Sequence, residues 1–101
     1  MYCLIITTCR AEDEKKIVEP LLKENLVACI NSFEVKSKYI WKGGIEEDKE
    51  KLLFIKTKME RYKEVEKRIE EVHSYEIPEI ICFEIKEGYE KYLNWIEKVV
   101  K

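Results

Sequence analysis

Histidine occurs once in this chain, proline twice and glycine three times, and each scarcity removes a class of function. With so few glycines there is no glycine-rich loop to cradle a phosphate, so acylphosphatase-type chemistry lacks its anion site even though Arg10 follows the first apolar run. No apolar stretch approaches the roughly eighteen residues that cross a bilayer. No basic region precedes the apolar start Met1-Tyr2-Cys3-Leu4, so no signal peptide is expected and the chain reads as cytoplasmic. The four cysteines, Cys3, Cys9, Cys29 and Cys82, form no CxxC pair. Three of them lie inside apolar strand-like runs, which suits buried thiols in a reducing compartment. Nor does one sign of charge dominate. Nineteen basic residues face 21 acidic ones, a net charge of −2 with 40% of residues charged. The signs are therefore interleaved, and the basic footprint of a nucleic-acid binder is missing. At 101 residues the chain is one domain, 1–101, with no repeat, linker or low-complexity segment.

What is present alternates between two periods. Tyr2 to Thr8 is a β-favouring run apolar enough for a central strand. Glu12, Asp13 and Glu14 then open a helix carrying Ile17, Val18, Leu21, Leu22 and Leu26 at helical spacing, with a kink expected at Pro20. A second apolar run begins at Leu26, and Val35, Ser37, Tyr39 and Trp41 alternate with Lys36, Lys38 and Lys42 as on a half-exposed strand. Gly43-Gly44 suits a turn, and Leu52 to Thr57 completes an antiparallel hairpin. Thr57-Lys58-Met59-Glu60 fits a capping box, which predicts a second helix from Thr57 to His73 with Tyr62, Val65, Ile69 and Val72 inward. Glu79 to Ile85 reads as the fourth strand, and Gly88 precedes a last helix through Tyr89, Tyr92, Leu93, Ile96 and Val100. The expectation is an α+β fold, ferredoxin-like β-α-β-β-α-β with an antiparallel sheet, a long β2-β3 hairpin and an extra C-terminal helix.

No periodicity explains Val72-His73-Ser74-Tyr75-Glu76-Ile77-Pro78-Glu79. Pro78 pushes Ile77 out of the helical region, which places His73 at a helix-to-strand corner. Two readings of the corner stand side by side. In one, His73 and Glu79, with Cys9, are metal ligands, since imidazole, carboxylate and thiolate suit Cu or Zn better than Mg or Ca. In the other, His73 ends the helix and hydrogen-bonds its last carbonyls. On the hairpin, Tyr39 and Trp41 are large aromatics that a small domain struggles to cover, so they are expected at a subunit interface rather than in a ligand pocket. Trp95 lies at the margin of the last helix's apolar stripe, either under a neighbouring subunit or flanking the core. The run Glu46 to Lys51 is expected to be a solvated hairpin end.

Three ordered blocks carry a family resemblance over nearly the whole chain. Ala28-Cys29-Ile30-Asn31 with Ser37-Lys38-Tyr39-Ile40-Trp41-Lys42-Gly43 and Lys56-Thr57 resembles the central hairpin of the CutA divalent-ion tolerance proteins. His73-Ser74-Tyr75-Glu76-Ile77-Pro78-Glu79 is similar to that family's HPYxxPE signature, and Tyr92-Leu93-Asn94-Trp95-Ile96 to its closing YxxW motif. The resemblance implies a non-enzymatic homotrimer with strands continuing across subunits, linked to tolerance of Cu(II) or another divalent transition metal that folding does not require. It also implies an alternative, a regulator or scaffold like the trimeric PII signalling proteins, with a small molecule or partner protein at the subunit clefts. Departures from the pattern are the absence of a Pro-Gly pair near Phe33, Ser74 in place of the proline after the histidine, and Thr7 where some members carry a metal-binding cysteine.

Overall fold

Along the first strand Cys3, Ile5, Thr7 and Cys9 are wholly buried while Tyr2, Leu4 and Ile6 are half-buried, the two-residue period of a sheet covered more fully on one face. In the computed structural model, which describes residues 1–101, this strand is β1 (Tyr2–Cys9). It is followed by α1 (Glu14–Lys23), β2 (Cys29–Trp41), β3 (Gly44–Lys58), α2 (Tyr62–Val72), β4 (Ile80–Ile85) and α3 (Glu90–Val99). The expected order and class hold. The sheet runs β2-β3-β1-β4 and every neighbouring pair is antiparallel, the ferredoxin-like arrangement.

The registers define two faces. Ile5 sits opposite Ile55 on one side and Cys82 on the other, and Thr7 opposite Leu53. These residues face α1 and α2, and with Ile17, Leu21, Val65 and Ile69 they make the core. α3 lies against the opposite face, where Lys58 Nζ reaches Glu97 at 3.2 Å and Tyr2 donates to the same carboxylate at 3.3 Å. It covers only the end of that face near Tyr2 and Lys58. Beyond it Phe33, Ile81 and Phe83 remain 44%, 43% and 51% exposed, beside half-buried Leu4, Ile6 and Phe54.

Three local expectations are corrected. The second helix does not start from a capping box: β3 continues to Lys58, a single 3₁₀ turn (Met59–Arg61) intervenes, and no side chain caps it. The Thr57 hydroxyl instead donates to the Leu26 carbonyl at 2.6 Å. A 3₁₀ turn (Ala11–Asp13) likewise precedes α1, which contains Pro20 and stops at Lys23, short of Leu26. Asn25 then takes φ 55° and delivers Leu26 to the core from outside the helix. The hairpin turn is Lys42-Gly43, with φ 50° and 81°, and Gly44 already pairs with Trp41. Positive φ at two successive residues is the I′ geometry that matches strand twist. The charged run from Glu46 is, as expected, an exposed hairpin end through Lys49, paired as strand up to the turn with Glu50 buried, and its ladder is flanked by Lys38–Glu47 at 3.5 Å and Lys51–Glu34 at 3.6 Å.

Candidate functional site

α2 ends at Val72, and His73 turns the chain with extended dihedrals (φ −74°, ψ 137°) while its N–H still bonds the Ile69 carbonyl. Its ring does not bond the helix. Nδ1 accepts the Tyr75 backbone N–H at 3.1 Å, which places the imidazole proton on Nε2, and Nε2 donates to the Thr8 carbonyl at 2.7 Å. The neutral ring thereby ties the corner to the end of β1, with both nitrogens engaged.

Ser74 and Tyr75 extend this tie in two directions. The Ser74 hydroxyl donates to buried Asp13. That bond, working against burial and aided by the Lys16 ammonium at 3.1 Å, holds the Asp13 carboxyl below its usual range. Tyr75 tilts against the His73 ring at 4.8 Å, and its other neighbour is the Arg10 guanidinium, 5.2 Å from the ring centroid. Its hydroxyl donates to the buried Glu50 carboxylate at 2.6 Å. Burial and then Glu50 push the Tyr75 phenol up. A corner read from the sequence as one histidine is therefore a network of Arg10, Asp13, Glu50, His73, Ser74 and Tyr75. His73, Ser74 and Tyr75 stand together in the block that resembles the family signature, whereas nothing in the sequence ties Arg10, Asp13 or Glu50 to the corner.

Between this corner and the hairpin opens a cleft of about 570 Å³, to which the corner contributes Arg10, Tyr75, Ile77 and Glu79, and the hairpin Lys38, Tyr39, Trp41, Asp48 and Glu50. Tyr39 donates to Asp48, and that bond, more than partial desolvation, pushes its phenol up to about 12. With Glu76 the wall carries four carboxylates against two cations.

The predicted site residues fall in different places. Glu79 lines the cleft, as do Tyr39 and Trp41. His73 is tied between Thr8 and Tyr75. Cys9 is wholly buried on the helix-facing side of β1, its thiol raised to about 11 by burial and then by the nearby carboxylates of Glu14, Asp13 and Glu50. No three His, Cys, Asp or Glu side chains converge as a metal cage. Trp95 is partly exposed on α3, 5.6 Å from the Tyr92 ring.

Residues 3–99 match the model of the CutA1 divalent ion tolerance protein family. The divalent-cation tolerance protein CutA of Pyrococcus horikoshii is 41% identical over 90 residues, 89% of this chain and 88% of that one. The structure of the protein from Archaeoglobus fulgidus, described as a periplasmic divalent cation tolerance protein CutA, superposes with a TM-score of 0.96 at 34% identity over 100% of both chains. The divalent cation tolerance protein from Thermus thermophilus gives 0.94 at 32% identity, again over 100% of both. Motifs, topology and full-length similarity agree, and this chain belongs to the CutA1 divalent ion tolerance family.

Proposed function

We propose that the chain works as a homotrimer in divalent-cation tolerance, with Cu(II) or another divalent transition metal as the ion it meets and no chemical reaction of its own. The observation that carries the assembly is the uncovered sheet face. Phe33, Ile81 and Phe83 form, with Leu4, Ile6 and Phe54, an apolar patch of a kind that marks a protein contact. The hairpin supports the same reading, for it stretches the molecule to 45 Å along one axis and carries Tyr39 and Trp41 far enough to meet a neighbour. Trimeric stoichiometry rests on the resemblance to the family.

Of the three predicted ligands, Glu79 is the one presented to the cleft, with Glu76 and Asp48 supplying further oxygens. His73 ligates only by surrendering the Thr8 carbonyl or the Tyr75 N–H, and Cys9 only by losing a proton in the core. We therefore place the ion at Glu79 and give His73 a positioning role. Calorimetric titration of Cu(II) and Zn(II) against wild type, Glu79→Gln and His73→Ala tests this. Glu79→Gln is expected to weaken binding most; identical isotherms for all three proteins would remove the cleft from metal binding.

A second reading rests on the cleft's mixed lining. Arg10 and Lys38 beside Tyr39, Trp41 and Tyr75 suit an organic ligand held by a few polar groups on aromatic walls, as in a PII-like regulator. Such a ligand stays bound in the presence of chelator, and its complete release by chelator would count against this reading.

A further inference from the structure

We propose that Cys3, Cys82 and Met59 form a three-sulphur site for Cu(I) on the helix-covered side of the sheet. This goes beyond the cleft and does not depend on it. The site is built by long-range pairing. In the β1–β4 register Cys3 faces Glu84 and Ile5 faces Cys82, so the two cysteines project from the same face as diagonal neighbours on adjacent strands. After burial, Cys82 is what raises the Cys3 thiol, as a neighbour on the same face would. Met59 arrives from a third element. It opens the 3₁₀ turn after β3, and its N–H bonds the Met1 carbonyl at 2.9 Å, folding it across the start of β1. There Cys82 Sγ sits 3.8 Å from Met59 Sδ.

The Cys82–Met59 separation matches one edge of the triangle a trigonal ion needs. With metal–sulphur bonds of about 2.3 Å, three sulphurs in a plane around one ion stand about 4.0 Å apart. Thiolate and thioether without nitrogen or carboxylate select Cu(I) over hard divalent ions. Cys3 is wholly buried whereas Cys82 and Met59 are half-buried, so the pocket is shielded on one side and open to entry on the other. Burial, followed by Cys82, raises the Cys3 thiol to about 12, so its deprotonation, like that of Cys9, is a cost, one that bonding a soft ion to three sulphurs must offset. Cu⁺ then bonds the two cysteine sulphurs and the Met59 thioether, the two thiol protons leave to solvent, and the oxidation state does not change. The plain alternative is that soft side chains merely fill the core.

Anaerobic titration with Cu(I), in competition with a chromophoric chelator, separates the two. Wild type is expected to take up a single equivalent per chain with a thiolate-to-copper ultraviolet band. Losing even an outer-shell partner costs a metal site about 10–100-fold, so Cys82→Ser, which loses a direct ligand, should weaken binding by at least about 100-fold and Met59→Leu by at least about 10-fold. Met59→Leu conserves volume and is expected to fold, and Cu(I) should raise the melting temperature of wild type but not of Cys82→Ser. Cys29 lies on the other face, opposite Lys56, so Cys29→Ser should bind as wild type. Glu79→Gln should also bind as wild type, so loss of the cleft and loss of this site are told apart. No copper band in wild type, equal affinity in Cys82→Ser and Met59→Leu, or loss in Cys29→Ser would each overturn the proposal.

Discussion

Two threonines on the helix-facing side of the sheet, Thr7 and Thr57, are both wholly buried but differently satisfied. Thr57 donates to the Leu26 carbonyl, whereas the Thr7 hydroxyl has no partner. Removing a satisfied hydroxyl strands its acceptor, while removing an unsatisfied one relieves a desolvation cost of about 1–3 kcal/mol. Thr57→Val is therefore expected to destabilise by about 1–2 kcal/mol and Thr7→Val to be neutral or stabilising by up to about 1 kcal/mol. Urea unfolding of both variants checks this, and a clear loss in Thr7→Val would contradict it. Ser74 gives a second prediction, this time in pH. Folding lowers the Asp13 pKa, chiefly through Ser74, so the contribution is present above the unfolded carboxylate value of about 3.9 and is lost as pH falls through the lower folded value. The stability gap between wild type and Ser74→Ala should be steady near neutrality and close on acidification; a gap that widens in acid would refute the assignment. These roles were only partly legible in the sequence. Thr57 reads as a cap because its local spacing to Glu60 is right, yet its hydroxyl is claimed by Leu26, far away in the chain. His73 announces a corner but not its partners, since neither Thr8 nor the Tyr75 N–H is marked by residue type.

At the level of elements, strands and helices follow the apolar periods closely, and the errors gather at element ends, where a cap, a helix stop and a turn fall elsewhere than local residue type suggests. Glu46 to Lys51 reads as a solvated hairpin end because nothing in it is apolar, and Glu46 to Lys49 are indeed exposed, while β2 lies alongside and the ladder continues to the turn. Exposed pairs such as Lys38–Glu47 each contribute little, so the hairpin's outer half depends on its backbone ladder and its turn. Gly43 has φ 81° and open space around the position of a Cβ. Gly43→Ala therefore meets no clash but adopts left-handed backbone, at about 1–2 kcal/mol. Lys42 also has positive φ, and Lys42→Asn substitutes a residue that tolerates it. Hydrogen exchange should show Gly43→Ala opening the amides of residues 36–49 faster while the core strands keep their protection, with Lys42→Asn slowing the same amides. Uniform loss of protection across the sheet would mean that hairpin and core unfold as one unit.

For the whole molecule, the open face decides how the chain exists in solution. In the sequence its residues were scattered over β1, β2, β3 and β4, and nothing local distinguishes Phe83, which is left uncovered, from Ile55, which is not. Only the antiparallel registers bring Leu4 beside Phe83 and Ile6 beside Ile81 and Phe54, and only the position of α3 shows which end stays bare. If the proposed trimer buries this patch, a charge there must be desolvated without a partner, and an unpaired buried ion costs several kcal/mol. The same charge on a free chain rests on the surface and leaves folding nearly unchanged. Phe83→Glu is therefore expected to reduce the light-scattering mass from three chains to one while circular dichroism keeps its native form. Trp95→Ala, which truncates a side chain on α3 without adding charge, should weaken assembly more mildly, visible as dissociation on dilution. A Phe83→Glu protein that still scatters as three chains would move the interface off this face and leave the hairpin, with Tyr39 and Trp41, as the surface joining the subunits.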